Sequence, residues 1–213
     1  MSLTAIWITC VIKDVKTLTE NGSDMRVSRA EKERSRARIV DSASRLLRER
    51  GIEGASVADV MSDAGLTHGG FYRHFATKDE LVRAALDSAF RQVADRLDRA
   101  DSPSDAEAQA RHLMEYERSY LSDAHVAAAG YGCPIAALAG DVSRAGEEVR
   151  GTFGQGVRRV VSGMANLLSG TRAQRQTRAW RQLAMMAGAV AIARASDPET
   201  AAEVLAACRL PRT

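Results

Sequence analysis

Polar and aromatic side chains are concentrated near residue 70, where their types suit contact with a polyanion. Those that carry hydrogen-bond donors are His68, Tyr72, Arg73 and His74. An arginine can hold a phosphate or bind guanine through O6 and N7. Phe71 and Phe75 are four residues apart, so in a helix they can pack inward and leave the donors near the other face. The alternative is that Tyr72 and His74 are ordinary core residues.

The same stretch contains the adjacent pair Gly69-Gly70. Two glycines cost roughly 2 kcal/mol of helix propensity, so another interaction must offset them. Close approach of the backbone to another surface is one physical reason to use glycine.

These residues lie in the second of two short predicted helices, which are joined by the turn Ala64-Gly65-Leu66-Thr67. A capping pattern at residues 56–59 opens the first helix, and Thr67 can cap the second, over 68–74. A short turn that contains glycine between such helices is typical of a helix-turn-helix motif. In that motif the second helix enters the major groove of DNA. A long helix, predicted over 78–99, follows.

Positive charge is concentrated just before these helices. Residues 26–50 contain nine Arg/Lys and four Asp/Glu, a local +5, whereas residues 84–213 contain sixteen and fifteen, a local +1. The basic segment indicates contact with a polyanion, although a solvated charged helix explains the same pattern. The arginines expected to add minor-groove or backbone contacts are Arg29, Arg34, Arg36 and Arg38.

The motifs Ala-Gly-Leu-Thr at 64–67, Phe-Tyr-x-His-Phe at 71–75 and Lys-x-x-Leu at 78–81 occur together in the order and spacing of a known domain. The run Ile39–Leu81 resembles the DNA-binding domain of TetR-family transcriptional regulators. The resemblance covers about 45 of 213 residues. By matching positions it implies that Thr67, Gly69, Tyr72 and His74 contact the operator and that Lys78 contacts a phosphate. A bulkier residue often follows the glycine in the family, so Gly70 is a departure.

Helix-end signals along the chain, with no hairpin signal, predict an all-α fold of about nine or ten helices. Among these signals, Gly51 is expected to stop the first long helix, and Thr171 and Gln174 are expected to form a capping box at the start of a later one. The resemblance implies a homodimer on double-stranded operator DNA. Each subunit then has a three-helix helix-turn-helix domain over residues 26–78 and a helical effector-binding and dimerisation domain over 79–213. Residues 1–25 match neither part and are expected to be a flexible or over-called leader, with Met25 a plausible initiator.

Two long apolar helices, near 147–169 and 172–195, are expected to form the dimer seam, as in the family, although they could be intramolecular core. Methionine and aromatic residues suit an adaptable apolar pocket. The expected effector pocket, assigned as a set, is Met114, Tyr116, Tyr120, Cys133, Leu138 and Trp180.

The segment Gly132-Cys133-Pro134 resembles a helix start found in the TetR branch that contains LmrA/YxaF-like and NemR-like regulators. In part of that branch a cysteine near this place senses electrophiles or oxidants. A helix N-terminus would lower the pKa of Cys133 and favour its thiolate. Cys133 is therefore a candidate thiol sensor, and a buried inert cysteine is the alternative.

Several protein classes do not fit the sequence. It lacks GxSxG, P-loop and HExxH motifs, so no enzyme and no cofactor are predicted. His68 and His74 do not share a helical face, so no metal site is expected. Three widely spaced cysteines indicate a reducing cytoplasm. The early apolar run 5–12 is far shorter than the ~20 residues that span a bilayer.

The sequence therefore predicts a cytoplasmic DNA-binding regulator, a dimeric repressor released from its operator by a small ligand, an electrophile or thiol modification. Two alternatives remain open: a transcriptional activator, and a helical sensor that does not read DNA specifically.

Overall fold

The computed structural model of the protein describes residues 29–98 and 105–209. These ranges contain α-helices and 3-10 helices and no strand, which confirms the all-α prediction. The chain divides into two compact units, Met1–Arg34 and Ser35–Thr213. The predicted leader at 1–25 lies outside the described residues, and the expected domain boundary after residue 78 stays a prediction.

Nine α-helices follow one another in the described part of the chain. They are α1 (Arg29–Gly54), α2 (Val57–Asp63), α3 (Lys78–Asp98), α4 (Ala106–Tyr120), α5 (Asp123–Ala127), α6 (Pro134–Val142), α7 (Glu147–Asn166), α8 (Arg172–Ala195) and α9 (Pro198–Arg209). Two 3-10 helices, His68–Arg73 and Ala129–Tyr131, lie before α3 and α6.

Most helix ends are where local sequence signals predict them. Ser56 accepts a hydrogen bond from the Asp59 amide and Asp59 reaches back to Ser56, a complete capping box at α2. Thr171 and Gln174 form a second box at α8. Gly51 has φ 78° inside α1, and this left-handed conformation breaks the helix at the glycine predicted to stop it.

The second helix of the helix-turn-helix differs from the expected α-helix. Residues 68–73 form a 3-10 helix, and Thr67, at its N-cap, makes no side-chain capping bond. The Gly69-Gly70 pair explains the difference, because two glycines disfavour α-helix and a 3-10 turn needs fewer consecutive helical residues.

Helices α3 and α7 pack closely because glycines on α7 face large side chains on α3. A Cβ placed on Gly156 would lie 2.1 Å from a ring carbon of Phe90. Seven residues along, a Cβ on Gly163 would lie 3.2 Å from Leu97. The Phe90 ring is fully buried and meets Phe153 edge to face at 5.4 Å. This packing joins the long helix after the helix-turn-helix to the bundle.

Candidate functional site

The helix-turn-helix is built on α1, which holds α2 in place through polar contacts. Ser42 donates to Asp63 at 2.6 Å and Arg45 donates to the same carboxylate at 2.5 Å. The Ser42 hydrogen bond, followed by the Arg45 bond, holds the pKa of Asp63 below its usual value. In the turn after α2, Gly65 has φ 68° and the Leu66 amide donates to Met61 at 2.8 Å.

The 3-10 helix His68–Arg73 separates apolar from polar side chains. Phe71 and Phe75 are buried and their rings stack at 5.8 Å, so both are core residues, as predicted. The Tyr72 side chain is 74% exposed and its ring meets Phe71 edge to face. The predicted contact residues that are exposed are Thr67, His68, Gly69, Tyr72 and Arg73. These exposed residues therefore form a polar surface that packs over the buried Phe71 and Phe75 rings.

The two glycines of this element have different surroundings. A Cβ on Gly70 would lie 3.6 Å from the Met61 side chain, which is ordinary packing contact with α2. A Cβ on Gly69 would meet no atom within 4 Å. Gly69 is therefore the glycine whose backbone is open to an incoming molecule.

His74 and Lys78 lie at the edge of this surface. His74 ends the 3-10 helix and is half-buried. Lys78 is the first residue of α3, and its Nζ is 4.0 Å from a Glu53 carboxylate oxygen. The backbone amides at this helix end favour an anion beside Lys78.

The predicted basic arm lies in the N-terminal part of α1, and its four arginines are exposed. In the unit Met1–Arg34, Arg29 pairs with Glu33 at 3.2 Å. In the other unit, the Arg36 guanidinium lies 4.7 Å from the centre of the Phe75 ring, a cation–π contact, and Arg38 donates to Ser35 at 3.4 Å. Arg36 is thus held beside the helix-turn-helix.

A second candidate site is a cavity of about 50 Å³ among α3, α4 and the segment before α6. Its lining residues are Val93, Arg96, Tyr116, Ser119, Tyr120, His125 and Cys133. Three members of the predicted pocket, Tyr116, Tyr120 and Cys133, are among them. Leu138 is instead buried in the core, and Met114 and Trp180 are exposed, so these three do not line the cavity.

Cys133 caps the N-terminus of α6, at the helix end that the sequence suggested. Its thiol pKa is nevertheless raised, because burial outweighs the Tyr120 side chain and the amides of Ile135 and Ala136, which favour the thiolate. Burial therefore opposes the expected lowering of this pKa, and the role of Cys133 as a thiol sensor stays a prediction.

Sequence reasoning missed the charged groups around this cavity. Arg48 is buried and donates to the Gly132 carbonyl at 2.9 Å. Arg194 donates to the His125 carbonyl at 2.8 Å. In the sequence, the burial of Arg48 is indicated only by its position next to Leu47 on the apolar side of α1. No pattern in the sequence indicates that its partner is Gly132, 84 residues away.

Among the described residues, no helix is both long and apolar enough to cross a membrane. The same ranges bring together no group of three metal-ligating side chains.

The geometry defines an all-helical helix-turn-helix protein, and comparisons with known proteins agree. Residues 39–85 match the family model of bacterial regulatory proteins, tetR family. The HTH-type transcriptional regulator TtgR of Pseudomonas putida is 38% identical over 81 residues, 38% of each chain. The repressor Rv3405c of Mycobacterium tuberculosis is 34% identical over 87 residues, 41% of this chain and 46% of the relative.

The chain therefore spans about two fifths of the length of the curated relatives that it matches. The reduced form of Escherichia coli NemR has the same fold, with a TM-score of 0.64 and 20% identity over 82% of this chain and 95% of that one. Together these findings show that residues 39–85 are similar to bacterial regulatory proteins of the tetR family and that the chain shares the fold of NemR; membership of the whole chain in the family stays a prediction. The named relatives are transcriptional regulators, which agrees with the prediction that the chain is not an enzyme. The narrower placement in the Gly-Cys-Pro branch stays a prediction.

Proposed function

We propose that the protein is a cytoplasmic, dimeric DNA-binding repressor that a small effector releases from its operator. One observation carries the proposal: the 3-10 helix that ends the helix-turn-helix buries Phe71 and Phe75 and exposes its hydrogen-bond donors. Hydroxyl and cationic donors suit phosphate oxygens, and arginine suits guanine. Repression rather than activation is supported by the relative Rv3405c, which is named a transcriptional repressor.

In this proposal each part of the surface has its own role. Tyr72 and Arg73 contact phosphate or base edges, and Gly69 lets the backbone approach the duplex. Lys78 contacts a phosphate at the start of α3, because its nearest carboxylate, Glu53, is 4.0 Å away and almost fully exposed. The basic arm supplies sequence-independent attraction, which makes binding strongly dependent on salt.

Dimerisation through α7 and α8 is supported by an exposed face of small and apolar side chains on α8. Its exposed members are Trp180, Ala184 and Ile192, and Gly188 and Ala191 on the same face are half-buried. No described atom lies within 4 Å of a Cβ placed on Gly188, so a second helix could approach closely there. A two-fold dimer would place two copies of the reading element on half-sites one DNA turn apart.

Of the two release routes suggested by the sequence, the geometry favours a bound ligand. Burial raises the pKa of Cys133, which disfavours the nucleophilic thiolate. The adjoining cavity already exists and contains polar groups. A ligand that binds better to a conformation unsuited to the operator would release DNA by shifting the population.

The test is a fluorescence-anisotropy titration of the full chain against a duplex from upstream of its own gene, beside an unrelated duplex, at several salt concentrations. We expect nanomolar binding to the upstream duplex alone, with a steep salt dependence. Arg73→Ala should weaken binding at least tenfold, whereas Arg118→Ala, an exposed arginine on α4, should leave it unchanged.

Equal and weak binding to both duplexes would contradict specific reading by this element and leave only the basic arm as a DNA contact. An absence of binding at low salt would favour the sensor alternative. A monomer at micromolar concentration in analytical ultracentrifugation would contradict the dimer.

A further inference from the structure

The cavity beside Cys133 has a polar lining and an open side. Arg96 and Ser119 are exposed and mark the side that faces solvent, whereas Tyr120 is only 5% exposed and Cys133 is buried. Its volume of about 50 Å³ is several times the roughly 10–15 Å³ that a cavity needs to admit one water. Drug-sized ligands need pockets of about 300 Å³ or more. The space therefore suits a molecule of only a few non-hydrogen atoms.

Three arginines surround this space without a carboxylate partner. In the described part of the chain, no carboxylate oxygen lies within 4 Å of Arg48, Arg96 or Arg194. Their guanidinium groups donate to backbone carbonyls instead: Arg48 to Gly132, Arg96 to Tyr131, Arg194 to His125 and Val126. Nη1 of Arg194 is buried and makes no hydrogen bond. The cavity thus has one arginine in its lining, Arg96, and two nearby arginines without a direct carboxylate partner, although Asp41 and Glu49 act on Arg48 at longer range.

The lowered pKa values of Arg48 and Arg194 indicate that their positive charges are only partly stabilised by their surroundings. Burial, followed by repulsion from Arg96, lowers the pKa of Arg48 to about 10. Burial also lowers the pKa of Arg194. An anion between these groups would offset both the burial cost and the repulsion.

The neutral groups of the lining are mainly donors. The Tyr120 hydroxyl is buried without a hydrogen bond of ordinary geometry, although it interacts with the Cys133 thiol. Burial raises the pKa of the Tyr116 and Tyr120 phenols, so both keep their protons. His125 has both ring nitrogens engaged: Nδ1–H donates to the Tyr120 carbonyl at 2.6 Å, and Nε2 accepts from the Cys133 amide at 3.0 Å. The lining therefore offers hydrogen-bond donors and a cation, and no negative charge.

We propose that this cavity binds the carboxylate of a small organic acid, with the Arg96 guanidinium and the Tyr120 hydroxyl as its donors. A cation is excluded by the arginines, and a neutral ligand would leave their charge unbalanced. A phosphate dianion loses more hydration on burial than a carboxylate monoanion, so this half-buried space favours the carboxylate.

The site also has a direct route to the DNA-binding element. Arg96 holds the Tyr131 carbonyl, and Arg48 of α1 holds the next carbonyl, that of Gly132. A carboxylate that draws the Arg96 guanidinium into the cavity would lengthen its 3.2 Å bond to the Tyr131 carbonyl and so loosen the segment that anchors α1. The effector role of this site rests on the proposed function, whereas carboxylate binding at the site does not.

The experiment is isothermal titration calorimetry of the full chain with sodium propionate, at ionic strength held constant with chloride. Propionamide, which has the same shape without the charge, is the matched ligand. We expect one propionate per protomer and at least tenfold weaker binding of propionamide. Arg96→Gln and Tyr120→Phe should each weaken propionate at least tenfold, while Arg118→Gln on the outer side of α4 should not, with folding of every variant checked by circular dichroism.

Equal binding of propionate and propionamide, unchanged affinity in Arg96→Gln, or no saturable binding of propionate would each overturn the proposed anion site. A parallel anisotropy titration with the operator duplex separates the two proposals. Propionate binding that leaves operator affinity unchanged would overturn the effector role. An absence of all DNA binding would overturn the proposed function, and the calorimetry would still test carboxylate binding by itself.

Discussion

Gly156 allows α7 to lie against α3, and replacing it with alanine tests how tightly the two helices are packed. The new Cβ would be 2.1 Å from Phe90 Cδ2, about 1.3 Å short of ordinary van der Waals contact. Phe90 cannot move aside freely, because it is fully buried and packs against Phe153. Overpacking of this kind costs about 1–3 kcal/mol.

Alanine also favours a helix by about 1 kcal/mol over glycine, so the two effects must be separated. Gly151 lies on the same helix, is exposed, and a Cβ there would meet no atom within 4 Å. We therefore expect Gly151→Ala to be slightly more stable than the parent and Gly156→Ala to be about 1–3 kcal/mol less stable than Gly151→Ala. Gly163→Ala should fall between them, because its Cβ would lie 3.2 Å from Leu97, a milder approach than the 2.1 Å at Gly156.

The assay is thermal unfolding followed by circular dichroism at one fixed protein concentration, together with urea unfolding. For a chain of this size, about 1 kcal/mol corresponds to about 2–4 °C in Tm. Equal stability of the Gly156 and Gly151 variants would refute the close α3–α7 packing.

Three further changes have defined outcomes. Gly69→Ala should leave Tm unchanged or slightly raised, because space is open there, and should weaken operator binding in the anisotropy assay; unchanged binding would contradict backbone approach at this residue. Burial lowers the pKa of His125, so the neutral ring stabilises the fold above the unfolded value near 6.5, and this contribution falls as pH drops from 6.5 toward the folded pKa. Urea unfolding between pH 7.5 and 5.5 should show this loss in the parent and in His68→Gln, and less of it in His125→Gln. Thr171→Ala should cost about 1 kcal/mol through loss of the α8 cap, whereas Thr177→Ala, exposed within α8, should cost nothing; equal urea midpoints would contradict the cap.

Sequence patterns predicted the features that depend on neighbouring residues. The capping boxes at Ser56 and Thr171, the break at Gly51 and the burial of Phe71 and Phe75 follow from spacings of three or four residues. The same local information was ambiguous for residues 68–73, where glycine content shifted the balance from an α-helix to a 3-10 helix.

The cavity could not be predicted in the same way, because it depends on contacts between distant segments. Arg48 meets Gly132 across 84 residues, and Arg194 meets His125 across 69. Aromatic and sulfur-containing residues identified three lining positions, but the same criterion selected Met114 and Trp180, which are exposed. Composition indicates which residues suit a pocket, and only the fold decides which of them meet.

The Arg48–Gly132 contact limits how freely the two parts of this chain can be exchanged with those of relatives. Arg48 belongs to α1, and its partners Gly132 and Gln92 come after residue 78, the predicted domain boundary. A chimera that joins residues 1–78 to the remainder of a relative keeps the bonds of Arg48 to Ser44 and loses those to Gly132 and Gln92, which costs about 1–3 kcal/mol. A functional graft must therefore carry the segment 129–141 along with α1, or replace Arg48 with an apolar residue.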